Sequence, residues 1–193
     1  MNKVDAALEK PVDLDKLLAA LGSRDRVNVE RHLVAADAET TADHSKLWRR
    51  LFRDLATLSS RTMQTTGQQA LSFYIPDGKH RQQVFALEDQ RDGKIIVYAE
   101  DVLSAAVKAG VITPAGKSSG DYTVPGGNGQ AIHIDALTAQ NTPNPSPFYK
   151  HMLGWNRKAL RITLPVGASE HAIKATEQIC AMSSQRWQQE LAS

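Results

Sequence analysis

His133 and Asp135 stand two apart in Ala131-Ile132-His133-Ile134-Asp135-Ala136-Leu137, where alternating apolar and polar residues predict a strand. Side chains two apart on a strand leave the same face, so this spacing sets an imidazole beside a carboxylate. That pairing could make an oriented general base or part of a metal site. Catalysis also needs a positioned nucleophile or water, and a metal needs a third ligand; the sequence places neither. The competing reading is a polar outer sheet face, with Ile132, Ile134 and Ala136 turned toward the core.

Pro125-Gly126-Gly127-Asn128-Gly129 precedes that strand. Gly126, Gly127 and Gly129 could let backbone amides approach an anion. They equally let a long hairpin loop turn. The run is not G-x-G-x-x-G, and a strand rather than a helix follows it. Gly116-Lys117-Ser118 matches the end of a phosphate-binding loop, but Val111 stands where the first glycine is required. The triplet also follows a helix instead of opening one, which excludes that chemistry.

Cys180 shares a helical stripe with Ile173, Thr176 and Trp187, the setting of a small core side chain and not of an activated thiolate. The chain has no G-x-S-x-G, and none of its 6 histidines pairs at a metal-ligand spacing. No cofactor and no metal are therefore expected. Phe148 to Lys158, which includes Trp155, mixes aromatic and basic residues. Such a mixture can stack bases and neutralise phosphates, or pack a short helix over a sheet edge.

The densest positive feature is on a helix predicted from Asp43 to Met63. Leu47, Trp48, Leu51, Phe52, Leu55 and Leu58 fall in one arc at 3.6 residues per turn. Lys46, Arg49, Arg50 and Arg53, with Asp54, fall on the other side. The pattern predicts an aromatic face laid on a sheet and a basic face in solvent.

Around these residues the chain reads as α+β. Strands are predicted at 71–75, 83–87 and 95–99, with Asp77-Gly78 and Asp92-Gly93 supplying tight turns between them. Further strands are expected at 131–137 and 160–164, with a short extended piece at 122–124. Asp101 is expected to cap a helix over 102–109 that Gly110 ends, Ser146-Pro147 to open one closed by Gly154, and Ser169 to open the last. Leu14, Leu17, Leu18 and Leu21 form an apolar stripe closed by Gly22, and 24–36 is a further helix candidate. The expected fold is a predominantly antiparallel sheet of about five to six strands with helices packed on one face, preceded by N-terminal helices. Residues 1–193 are expected to form one domain, with 1–40 as a helical appendage.

The balance of 23 basic against 21 acidic side chains, a net +2, is not that of a dedicated polyanion binder. One cysteine allows no internal disulfide, the opening residues lack a secretory pattern, and no apolar run approaches the ~20 residues of a membrane span. A soluble cytoplasmic protein is expected. Three functions remain open. The preferred one is a non-catalytic binding or protein-interaction module that engages a protein partner or a second copy. The second is a small-molecule-binding protein or enzyme using loop 113–129 with His133 and Asp135, joined by Tyr98 or Trp155. The third, ranked last, is a nucleic-acid binder through Lys46, Arg49, Arg50 and Arg53.

Overall fold

Runs of strand-forming residues separated by Asp-Gly pairs should fold back on one another, and they do. The computed structural model describes residues 14–20, 42–58, 62–65, 70–77, 80–88, 94–97, 101–116, 120–137, 159–165 and 167–193. In chain order its elements are α1 (Leu14–Ala20), α2 (Ala42–Leu58), β1 (Thr62–Thr65), β2 (Ala70–Asp77), β3 (His80–Glu88) and β4 (Lys94–Val97). There follow α3 (Val102–Lys108), β5 (Thr113–Pro114), β6 (Asp121–Thr123), β7 (Ala131–Leu137), β8 (Ala159–Thr163) and α4 (Glu170–Ala192).

The strands form one antiparallel sheet in the order β1-β2-β3-β4-β8-β7-β6-β5. Two meanders, β1 to β4 and β5 to β8, are joined where their last strands pair. The α+β class with an antiparallel sheet is thus as expected. The described residues hold eight strands where five to six were anticipated. The additions are β1 and β5. Helix α2 is described to Leu58, not Met63, and Thr62–Thr65 pairs instead with β2. Its two threonines are β-branched and suit that pairing better than a last helical turn. Strand β5 is a two-residue edge piece that carries Pro114, a residue confined to such edges.

Register places one apolar row across the middle of the sheet: Leu87 opposite Ile95, Ile95 opposite Ile162, and Ile162 opposite Ile134. Leu87, Ile162 and Ile134 are buried. Helix α4 packs on β2, β3, α2 and α3, and α2 packs on β3. Phe52 of α2 meets Phe73 of β2 with ring centroids 6.2 Å apart and tilted by 57°, within the range favoured for aromatic pairs.

Local signals at helix ends are mostly as read. The Ser169 hydroxyl accepts from the Ala172 N–H at 3.2 Å, and Gly110 follows α3 with φ +70°. Asp101 differs. It makes no side-chain cap on α3; its carboxylate accepts from Arg186 Nε at 2.6 Å and so ties α3 to α4. Leu18 of α1 packs, half-buried, against the core. The helix candidates at 24–36 and 146–154, together with Tyr98 and Trp155, lie outside the described residues. No helix among the described residues is long and apolar enough to cross a membrane.

Candidate functional site

Strand β7 alternates as its sequence requires: Ile132 and Ile134 are buried, while His133 and Asp135 stand half-exposed on the other face. Ala136, expected to face the core, is exposed. Register with β6 brings Asp121 directly opposite His133. His133 Nδ1 lies 2.7 Å from Asp121 Oδ1, and Nε2 lies 2.8 Å from Asp135 Oδ1. An ionised carboxylate only accepts hydrogen bonds, so both ring nitrogens must donate, and only the imidazolium carries two N–H groups. The hydrogen bond to Asp121 is the largest cause that raises the His133 pKa above 6.5; partial burial opposes it, and the hydrogen bond to Asp135 adds to it.

Gly120 makes room for this ring. A Cβ at that position would fall 2.7 Å from His133 Cε1, and its φ of +104° disfavours any other residue. The sequence reading found His133 and Asp135 but missed Asp121 and Gly120. No spacing rule links residues across a loop whose register is set by the sheet.

An imidazole clamped at both nitrogens has no lone pair with which to take a proton. In this doubly hydrogen-bonded, protonated form neither ring nitrogen is free to accept a proton. Among the described residues, no group of three or more His, Cys, Asp or Glu could hold a metal ion.

The glycine loop belongs to a different neighbourhood. Gly126, Asn128 and Gly129 take positive φ values of +76°, +51° and +77°. The loop is closed by Gly127 N–H to Val124 C=O and Gln130 N–H to Gly127 C=O, each 3.0 Å. Gln130 Oε1 then accepts from the Ser169 N–H at 2.7 Å, and Gly126 lies against the His171 ring. Gly126, Gly127 and Gln130 thus lie against the start of α4, Gly129 only turns the loop, and His133 and Asp135 gather with Asp121 and Gly120 beside β6 and β7.

The basic side of α2 also differs from expectation. Asp54, read as a solvent-facing residue, is only 3% exposed, as is Glu177 of α4. Arg50 donates to both oxygens of Glu170, the Nη2 to Oε1 contact being 3.0 Å, and from Nε to Glu177 Oε1 at 3.2 Å. Arg53 Nε donates to Asp54 Oδ1 at 2.9 Å. Helix α2 therefore packs on two sides, an apolar one against the sheet and a polar one against α4. Polar residues reach the interior here because each finds a charged partner. Arg49 also has an interaction partner, and the side chain of Lys46 lies outside the described residues.

Burial, then the hydrogen bond with Asp54, pushes the Glu177 carboxyl up to about 8. Cys180 is fully buried one turn further along α4, and burial pushes its thiol well above the ordinary range, as expected of a core cysteine. No family model matches the chain, and comparisons with curated proteins and with solved structures find no match either.

Proposed function

We propose that this chain is a non-catalytic protein-interaction module that uses the polar outer face of its sheet around Asp121, His133 and Asp135. The observation that carries this reading is the double clamp on His133. This imidazole is spent on holding two carboxylates, yet all three side chains remain between 43% and 44% exposed. Each carboxylate directs Oδ1 at the ring and retains acceptor capacity for donors from a partner. Cys180 supports the same reading, since a fully buried, protonated thiol offers no nucleophile. A lone thiol kept in the core also fits a reducing cytoplasm.

The two alternatives gain less. The small-molecule reading needs the glycine loop and His133 to converge, but the loop's neighbours are Val124 and His171. The nucleic-acid reading needs free arginines, but Arg50 and Arg53 are paired to carboxylates.

Thr163 lies opposite His133 on β8 and takes no part in the clamp, so it serves as a probe of the face. Thr163→Arg is expected to abolish capture of a protein partner that wild type retains, with an unchanged circular dichroism spectrum. Equal capture by both proteins would overturn the reading. So would a mass excess in the native protein that disappears on denaturation, which would identify a small-molecule ligand instead.

A further inference from the structure

Strand β6 has three residues and lies between the two-residue edge strand β5 and β7. Its two ends are held differently. From Tyr122 onward it is anchored by apolar contact: Tyr122 packs half-buried against the core, and Val124, just beyond the strand, is buried. The Gly120–Asp121 end is held by polar contacts. The Ile134 N–H donates to the Gly120 carbonyl at 2.7 Å, and the Asp121 carboxylate sits 2.7 Å from His133 Nδ1. Strand β5 adds no separate anchor there, because the Ala115 N–H donates to the Asp121 carbonyl at 2.9 Å and so depends on the same end.

Among the described residues, the charged groups around His133 are Asp121 from β6, Asp135 on β7 itself and, from β8, Arg161 opposite Asp135. Thr163, opposite the ring, is uncharged, and Lys94 of β4 stands one strand further, opposite Thr163. Asp135 is two residues along the same strand, so β7 fixes its distance from the ring whatever the charge. Asp121 reaches across from β6. A neutral ring has one N–H and leaves one of the two carboxylates facing a lone pair. The carboxylate able to withdraw is Asp121. We propose that protonated His133 is a pin for the edge of the sheet: with its proton it holds the Gly120–Asp121 end of β6 on β7, and without it that end opens while Tyr122 and Val124 stay seated.

The direction follows from linkage. The pKa of the ring is raised above 6.5 in the folded chain, chiefly by the bond to Asp121. The pin is therefore fully engaged below 6.5 and is lost as pH rises through the folded value. Solvent screens a ring that is 43% exposed, so the effect on the whole fold is small. The end of a short edge strand opens far more readily than the fold, and there a contribution of this size sets how often it is open. An exposed ion pair of this kind changes that local opening about two- to fivefold.

Solvent exchange of single amides tests the pin, read by NMR on the whole chain below and above the titration of the His133 ring and corrected for the intrinsic rise of exchange with pH. The Ile134 and Ala115 amides, bonded to Gly120 and Asp121, should lose protection about two- to fivefold, while the amides of β8 keep theirs. In Asp121→Asn the step should vanish, because the new amide accepts from the charged ring and donates to the neutral one. No step in wild type, a step shared equally by β8, or a step that survives Asp121→Asn would overturn the proposal. If Asp121→Asn does not fold, wild type decides alone: a step whose midpoint coincides with the ring's own titration supports the pin, and a displaced midpoint refutes it. The measurement involves no partner, so its outcome is separate from that of partner capture by the same face.

Discussion

Two carboxylate acceptors, one at each ring nitrogen, define the state of His133. A neutral ring would turn a lone pair toward one of two carboxylates 2.7 and 2.8 Å away, so the protonated form is the one the strands accommodate. Its NMR titration is expected above 6.5. Asp121→Asn should lower it further than Asp135→Asn, because the bond to Asp121 is the larger cause. A titration at or below 6.5 in wild type would contradict the clamp. The associated stability is present below 6.5 and is lost as pH rises through the folded value. With the ring 43% exposed, solvent screening keeps that contribution small.

At the scale of elements, α2 shows how a clean amphipathic pattern under-determines packing. Hydropathy identified the face bearing Leu51, Phe52 and Leu55, all of which are buried. It assigned Asp54 to water because polarity was the only criterion available to it. Arg53 and Arg50 pair with Asp54 at 2.9 and 3.5 Å, and Arg50 is itself held by Glu177, more than a hundred residues later in the chain. The far end of α2 is held in the same way: the Ser184 hydroxyl donates to the Leu58 carbonyl at 2.7 Å, satisfying a group that the helix end leaves orphaned. Neighbouring Ser183 is equally buried, but its hydroxyl has no partner among the described residues. Ser184→Ala should therefore destabilise the protein by about 1–3 kcal/mol, whereas Ser183→Ala should be neutral or stabilising. Denaturant midpoints of the two variants measure this directly, and equal losses would refute the assignment.

Across the whole molecule, the two meanders meet only through the pairing of β4 with β8 within the described sheet. Ile162 lies at that seam, fully buried, between Ile95 on one side and Ile134 on the other. Removing its side chain to Ala should cost about 2–5 kcal/mol, the usual range for a buried isoleucine. If the seam unites the sheet, both meanders should still unfold in one transition, read by hydrogen exchange on β3 and β7 alike. Separate transitions would mean that each meander holds itself together.

Local physics made much of this legible from residues alone. Strand runs at 131–137, the Ser169 cap and the buried stripe of Ile173, Thr176, Cys180 and Trp187 all follow from short-range spacing and are found in the structure. So does the antiparallel character of the sheet, because β-strands with short turns between them can only double back. What tertiary structure alone decided were meetings between residues far apart in the chain. These are Asp121 with His133, Gln130 with Ser169, and Arg50 with Glu170 and Glu177. Periodicity records which face a side chain takes, but the neighbour waiting there depends on strand order and register. Those are global properties, and they set His133 between two carboxylates and turn an apparent solvent-facing helix surface into a partly buried ionic contact.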